Sequence, residues 1–111
     1  MPDVSSASFR TLTSEDSIPP DFVVPCYIAD QKRRISVARV GRNFYAFDDL
    51  CPCGGNPCPL SGGLLSGTTI MCQCHGSTFD LSSGAVLAGP AVSALEVFPL
   101  KSEGGNILVL I

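Results

Sequence analysis

The cysteines and the single histidine of this 111-residue chain are concentrated in two short segments. Residues 51–58 read CPCGGNPC and residues 72–77 read CQCHGS, so five of the six cysteines and the only histidine fall within 25 residues. Thiolates and an imidazole gathered in this way are ligands of zinc or of an iron–sulfur cluster, and a disulfide knot is the main alternative.

The composition excludes several classes of function. A chain of this length forms one domain, and its 45% hydrophobic and 15% charged residues are typical of a globular protein. The net charge of −3 argues against binding to nucleic acid, which requires clustered Lys and Arg side chains. The sequence contains neither an apolar run of about 20 residues nor a secretory signal, so we expect no membrane span and a cytoplasmic location. In that reducing compartment, clustered cysteines are more often metal ligands or redox groups than structural disulfides.

The elements that must position these residues are predicted to be short strands. Glycine and proline turns separate runs of β-branched and aromatic residues throughout the chain, which indicates an all-β sandwich or barrel. The metal loops would lie in a small subdomain inserted between the first and last strands. A single helical turn is predicted from Thr13, ended by Pro19-Pro20. The predicted strands are 9–12, 22–29, 34–40, 44–47, 64–65, 68–72, 78–81, 85–87, 92–100 and 107–111.

Residues 44–100 resemble the Rieske [2Fe–2S] ferredoxins, and a weaker resemblance covers nearly the whole chain. It is carried by CPC at 51–53, PLSGG at 59–63 and CQCHGSTFD at 72–80, and completed by Ser83-Gly84 and Gly89-Pro90-Ala91. The resemblance implies a Rieske-like fold in which two hairpin loops each supply one cysteine and one histidine. We expect a flexible tail at 1–8, a single domain at 9–111 and a cluster-binding subdomain at about 49–91.

The first ligand segment departs from the family pattern, which is Cys-x-His, a spacer of fifteen to seventeen residues, and then Cys-x-x-His. If Cys51 is the first ligand, Cys53 stands at the histidine position, and eighteen residues separate that position from Cys72. If Cys53 is the first ligand, sixteen residues separate the histidine position from Cys72, but that position is Gly55, which has no side chain to coordinate iron. Both registers remain open at this point.

The resemblance therefore implies a [2Fe–2S] cluster held by Cys51, Cys53, Cys72 and His75, with three thiolates and one imidazole. The NEET proteins hold the same cluster with these ligand types on a different fold, which is an analogy of ligation alone. Which of Cys51, Cys53 and Cys58 replaces the missing histidine stays open.

A disulfide is also implied by the resemblance. In the Rieske proteins of quinol-oxidising complexes, the second cysteine of each ligand segment pairs with the other, and Cys58 and Cys74 occupy the matching places. The alternatives are that both thiols are reduced, or that Cys58 is a ligand in place of Cys53. Cys26 is interpreted separately, as a small hydrophobic residue of the core.

Three further residues are expected to tune the cluster. Ser77 resembles the family's serine that donates a hydrogen bond to a bridging sulfide. Phe79 stands where high-potential members have tyrosine, and Pro90 lies in the loop that covers the cluster. A thiolate in place of an imidazole adds negative charge, so we expect a potential in the lower half of the range of about −400 to +300 mV. A single ionisation, that of His75, should be linked to reduction.

The predicted function is that of an electron carrier and not of an enzyme. The carrier would take single electrons from a flavin-dependent reductase and pass them to an oxygenase or a similar acceptor. It would dock through the exposed cluster edge near His75, Gly54-Gly55 and Gly89-Pro90. Three thiolates and one histidine also form a common zinc site. The alternatives are therefore a structural zinc-binding module or a metal-free β module without a redox role.

Overall fold

The structure of the chain is a computed structural model. The part that it describes forms three open antiparallel β-sheets. The described residues are 9–52, 58–74, 76–89, 91 and 93–110. This architecture confirms the predicted all-β fold. None of the helical segments among these residues is long and apolar enough to cross a membrane. The predicted tail at 1–8 lies outside the described residues.

The first sheet joins the two ends of the chain. Phe9 in the first strand of the chain pairs with Leu110 in the last strand, and the two strands are antiparallel neighbours. The first strand is longer than predicted, and a 3₁₀ turn at Glu15–Ser17 replaces the helical turn expected from Thr13. In sheet order, the strands are β1 (Phe9–Ser14), β11 (Asn106–Leu110) and β10 (Leu100–Glu103).

The second sheet contains the predicted meander of three strands and one short addition. Its second strand is rich in β-branched residues and has four consecutive buried positions, so it forms the centre of the sheet. In sheet order, the strands are β2 (Val23–Ile28), β3 (Arg33–Val40), β4 (Asn43–Asp48) and β9 (Val97–Phe98).

The prediction of one strand over 92–100 is wrong in extent. Residues 93–96 form no strand, because their backbone groups bond to separate elements and not to one neighbouring strand. The Leu95 N–H donates to Gly84 O over 2.8 Å, and the Asp48 N–H donates to Glu96 O over 2.9 Å. Gly84 permits this approach, because a Cβ atom there would collide with Leu95 O and its φ is +80°.

The third sheet lies between β4 and β9 in the chain. Each of its strands has three residues, and alternate side chains face the core, as in the row Leu65, Ile70, Phe79 and Val86. A second 3₁₀ turn, Leu60–Gly62, precedes it. The sheet falls within the segment 49–91 that the sequence predicts as a subdomain, and those bounds stay a prediction. In order, the strands are β5 (Leu64–Ser66), β6 (Thr69–Met71), β7 (Thr78–Asp80) and β8 (Val86–Ala88).

The largest buried cluster connects the second and third sheets and includes two cysteines. Burial of this apolar surface is what fixes the bases of both cysteine-bearing loops. The cluster contains Ala38, Phe47, Cys51, Leu60, Ile70, Cys72, Phe79, Leu81, Ala91 and Leu95.

Candidate metal centre

The first cysteine-bearing loop rises from a short two-stranded base. Leu50 and Pro59 form an isolated antiparallel bridge, and the Cys51 N–H donates to Cys58 O over 3.0 Å. Cys51 is 4% exposed. The predicted ligand Cys53 belongs to the segment 53–57, which lies outside the described residues. The structure therefore places Cys51 and Cys58 as neighbours at the base of the loop.

The second loop is the hairpin between β6 and β7. The Cys72 N–H donates to Ser77 O over 2.7 Å, and the Gly76 N–H donates to Cys72 O over 2.9 Å. Gly76 has φ +79°, a conformation that glycine adopts without strain and that this tight turn requires. Cys72 is fully buried at its base. His75 lies outside the described residues, so its predicted role stays a prediction.

The two loops are joined through sulfur. The structure contains a disulfide between Cys58 and Cys74, whose Cα atoms are 6.4 Å apart. The Sγ atoms of Cys58, Cys72 and Cys74 all lie within 4.8 Å of one another. A sulfur in a disulfide is not a thiolate, and thiolate is the form that binds iron or zinc. Among the described cysteines of the two loops, Cys51 and Cys72 are therefore the candidate ligands.

Ser77 connects the second loop to the segment expected to cover the cluster. Its side chain is fully buried, and its Oγ accepts a hydrogen bond from the Ala91 N–H over 3.0 Å. This leaves the hydroxyl hydrogen of Ser77 for another acceptor, as a donor to a sulfide would require. Phe79 is fully buried in the main core. Pro90 lies outside the described residues.

Sequence reasoning did not single out Asp49, which the structure places beneath the first loop. This carboxylate is fully buried, and its Oδ1 accepts hydrogen bonds from Ser36 Oγ over 2.9 Å and from the Ser61 N–H over 2.8 Å. Its backbone O accepts from the Leu60 N–H over 2.5 Å. An aspartate in a loop is usually exposed, so no sequence signal identifies this role.

Cys26 lies on β2, opposite Ile35, and is partly buried. Burial raises the pKa of the Cys26 thiol, which disfavours the thiolate form. Cys26 therefore behaves as a hydrophobic side chain, as predicted, but it is partly exposed and is not a fully buried core residue.

The family to which these features belong is given by comparison with known proteins. The family described as the Rieske [2Fe–2S] domain matches residues 9–99. The chain belongs to the Rieske [2Fe–2S] family. The predicted recognition is thereby confirmed, and so is the [2Fe–2S] cluster as the cofactor that this family carries.

The relatives of this Rieske domain include ferredoxin subunits. The ferredoxin subunit of 3-phenylpropionate/cinnamic acid dioxygenase from Escherichia coli (strain K12) is 36% identical over 75 residues, covering 68% of this chain and 70% of the relative. The biphenyl dioxygenase ferredoxin subunit of Pseudomonas sp. (strain KKS102) is 29% identical over 102 residues, covering 92% of this chain and 91% of that subunit. These relatives support the predicted electron-transfer role.

Solved structures are similar over almost the whole chain. The Sphingomonas yanoikuyae B1 ferredoxin has a TM-score of 0.84 and 26% identity, covering 94% of this chain and 99% of that one. A chain in the complex of reduced oxygenase and oxidized ferredoxin in carbazole 1,9a-dioxygenase has a TM-score of 0.80 and 26% identity, with 92% of each chain covered. The Rieske fold is thus confirmed.

The donor set of this Rieske domain fits an iron–sulfur cluster. Two buried cysteines lie at the bases of two loops that a disulfide joins, and soft thiolates are the usual ligands of such clusters. The departure lies in the histidines, since the sequence contains one where the family uses two. The family match favours the iron–sulfur cluster over the zinc and metal-free alternatives.

Proposed function

We propose that this Rieske domain is the electron-carrying component of a multicomponent oxygenase system. It takes single electrons from a flavin-dependent reductase and passes them to a terminal oxygenase. The observation that carries this proposal is the pair of buried cysteines, Cys51 and Cys72, at the bases of two disulfide-joined loops in a chain of this family. The dioxygenase ferredoxin subunits among its relatives support the choice of acceptor.

In this proposal the ligands are Cys51, Cys53, Cys72 and His75. When bound, the cluster supplies reversible one-electron chemistry. The protein's own contribution is to hold the two loops together, which the disulfide and the buried loop bases support. The cytoplasmic location predicted from the sequence stays a prediction.

The distribution of charge supports a docking face at the cluster end. Between Leu50 and Leu95 the only formally charged residue is Asp80, with His75 neutral. All seven Lys and Arg residues lie outside this stretch, as do nine of the ten Asp and Glu residues. A stretch whose only charged side chain is Asp80 gives little electrostatic steering apart from the charge of the cluster itself, so association should depend only weakly on salt.

A row of uncharged and mostly apolar side chains on the third sheet extends this face. Leu64 pairs with Met71, Met71 with Thr78, and Thr78 with Ala88, so their side chains follow one another on the outer side of the sheet. Leu64 is 61% exposed and Met71 is 37% exposed. Met71 directly precedes Cys72, so the row adjoins the loops through which electrons must pass. In this proposal the row contacts the redox partner beside the cluster edge.

The first experiment tests the ligands. The protein is produced with iron and sulfide, and its metal content, visible spectrum and electron paramagnetic resonance signal are measured. We expect two irons per chain, a red-brown colour and a [2Fe–2S] signal after reduction. Serine variants of Cys51, Cys53 and Cys72 and a His75→Ala variant should lose iron. A colourless protein containing zinc, or one without metal, would overturn the proposed function.

The second experiment tests the docking face. Met71→Lys should slow electron transfer from an NADH-dependent flavoprotein reductase, because the lysine places a hydrated charge in an apolar contact. Phe22→Lys is the matched control, since Phe22 is 59% exposed on the loop before β2. Equal rates for the two variants, or a steep loss of rate for the wild-type protein in salt, would contradict the proposed face.

A further inference from the structure

Hydrogen bonds of Asp49 connect the residues that precede the first ligand loop with those that follow it. It precedes Cys51 by two residues, and its carboxylate and backbone oxygens together accept bonds from the 3₁₀ turn that follows the loop, at Leu60 and Ser61. Its own N–H donates to Arg34 O over 3.2 Å on β3. One residue thus connects both ends of the loop to the second sheet.

The negative charge of Asp49 is partly compensated by the guanidinium of Arg34. Arg34 Nε lies 3.1 Å from Oδ2 and forms an ion pair, and Oδ2 accepts no hydrogen bond among the described residues. The Arg34 side chain is 47% exposed, whereas that of Asp49 is fully buried. Solvent therefore screens the guanidinium charge more effectively than the carboxylate charge.

We infer that Asp49 is a positioning residue for the first ligand loop, and that its buried charge lowers the reduction potential of the cluster. Residues two apart have Cα atoms within about 7 Å, so Asp49 and the proposed ligand Cys51 belong to the same short stretch of chain, and the carboxylate charge acts through the protein interior on a metal held there. Adding an electron to the cluster increases its negative charge, and a fixed anion nearby opposes that change. Arg34 acts in the opposite direction by partly neutralising the anion. This inference rests on the proposed role of Cys51 as a ligand.

The test uses two single variants whose effects have opposite signs. Asp49→Asn keeps the Oδ1 acceptor for Ser36 and Ser61 but removes the charge, so the midpoint potential should rise. Arg34→Gln removes the compensating charge and should lower the potential. If the pair served the fold alone, both variants would loosen the same loop and the potential would not move in opposite directions. The readouts are a redox titration followed by electron paramagnetic resonance, and the iron content of each variant.

The matched controls come from an exposed ion pair in which Arg10 Nη1 lies 3.1 Å from Asp30 Oδ1. Asp30→Asn and Arg10→Gln should shift the potential less than the corresponding variants of Asp49 and Arg34. Shifts of equal size in both pairs, or shifts of the same sign at Asp49 and Arg34, would overturn the inference.

The test still decides the inference if one of the two variants does not fold. If Asp49→Asn fails to fold, Arg34→Gln decides alone, and a potential that is unchanged or raised overturns the inference. A wild-type protein without iron overturns the proposed function, and this inference with it. An iron-loaded wild-type protein whose potential is insensitive to both substitutions overturns this inference alone.

Discussion

Replacing Ser77 by alanine tests how the loop that carries Ala91 is held over the second ligand loop. The substitution removes one hydroxyl that is fully buried and accepts the Ala91 N–H over 3.0 Å. The Ala91 N–H is then left buried without its partner, and such a group costs about 1–3 kcal/mol. With a central value of about 2 kcal/mol, the equilibrium for local opening shifts roughly 30-fold, since every 1.4 kcal/mol is a factor of ten.

Hydrogen–deuterium exchange measures this opening directly on the iron-loaded protein. A peptide covering Ala91 should exchange roughly 30-fold faster in Ser77→Ala, whereas peptides from β3 should be unchanged. The control is Ser102→Ala, which removes an exposed bond of 2.6 Å to Glu15 and should change exchange near Ala91 by less than about twofold. Exchange in Ser77→Ala that matches this control would refute the argument that Ser77 holds the loop.

Three further predictions concern stability. Replacing Cys58 and Cys74 together by serine releases a cross-link with a sequence separation of 16, and should lower the free energy of unfolding by about 3 kcal/mol, measured by urea denaturation under anaerobic conditions; equal midpoints for variant and wild type would contradict this. Gly63→Ala should lower the midpoint of thermal unfolding more than Gly67→Ala, because a Cβ at Gly63 would collide with the Met71 backbone carbonyl, whereas a Cβ at Gly67 meets no atom within 4 Å and carries only the strain of the φ of +57°; a smaller loss for Gly63→Ala would contradict this. Hydrogen bonds from turn serines lower the pKa of Asp80, so its contribution to stability is present above the unfolded pKa and is lost as pH falls through the folded pKa; Asp80→Asn should reduce the loss of stability on acidification below about pH 4, and an unchanged acid profile would contradict this.

Local chemistry explains why much of the fold could be predicted. The meander of β2, β3 and β4 follows from β-branched runs bounded by polar and glycine turns, and the second ligand loop follows from the compact motif around Cys72. These features depend on near neighbours in sequence. Turn-forming residues and the alternation of apolar and polar residues are patterns among such neighbours, so they can be recognised in the sequence.

The missed features depend on distant partners. The predicted strand over 92–100 is interrupted because Leu95 bonds to Gly84 and Glu96 bonds to Asp48, which no local pattern reveals. The burial of Asp49 likewise depends on Ser36 and Ser61, which lie in other elements. The register of the first ligand segment also stays a prediction, because residues 53–57 lie outside the described part of the chain.

The pairing of Phe9 with Leu110 has a consequence for the order of folding. Closing a loop of about 100 residues costs roughly 2 kcal/mol more chain entropy than closing one of about 10, which is the scale of the hairpins in the third sheet. We therefore expect the hairpins of β5–β8 to form early and the sheet that joins the chain ends to form late. The second metal-binding loop would then be assembled before the two ends of the chain come together.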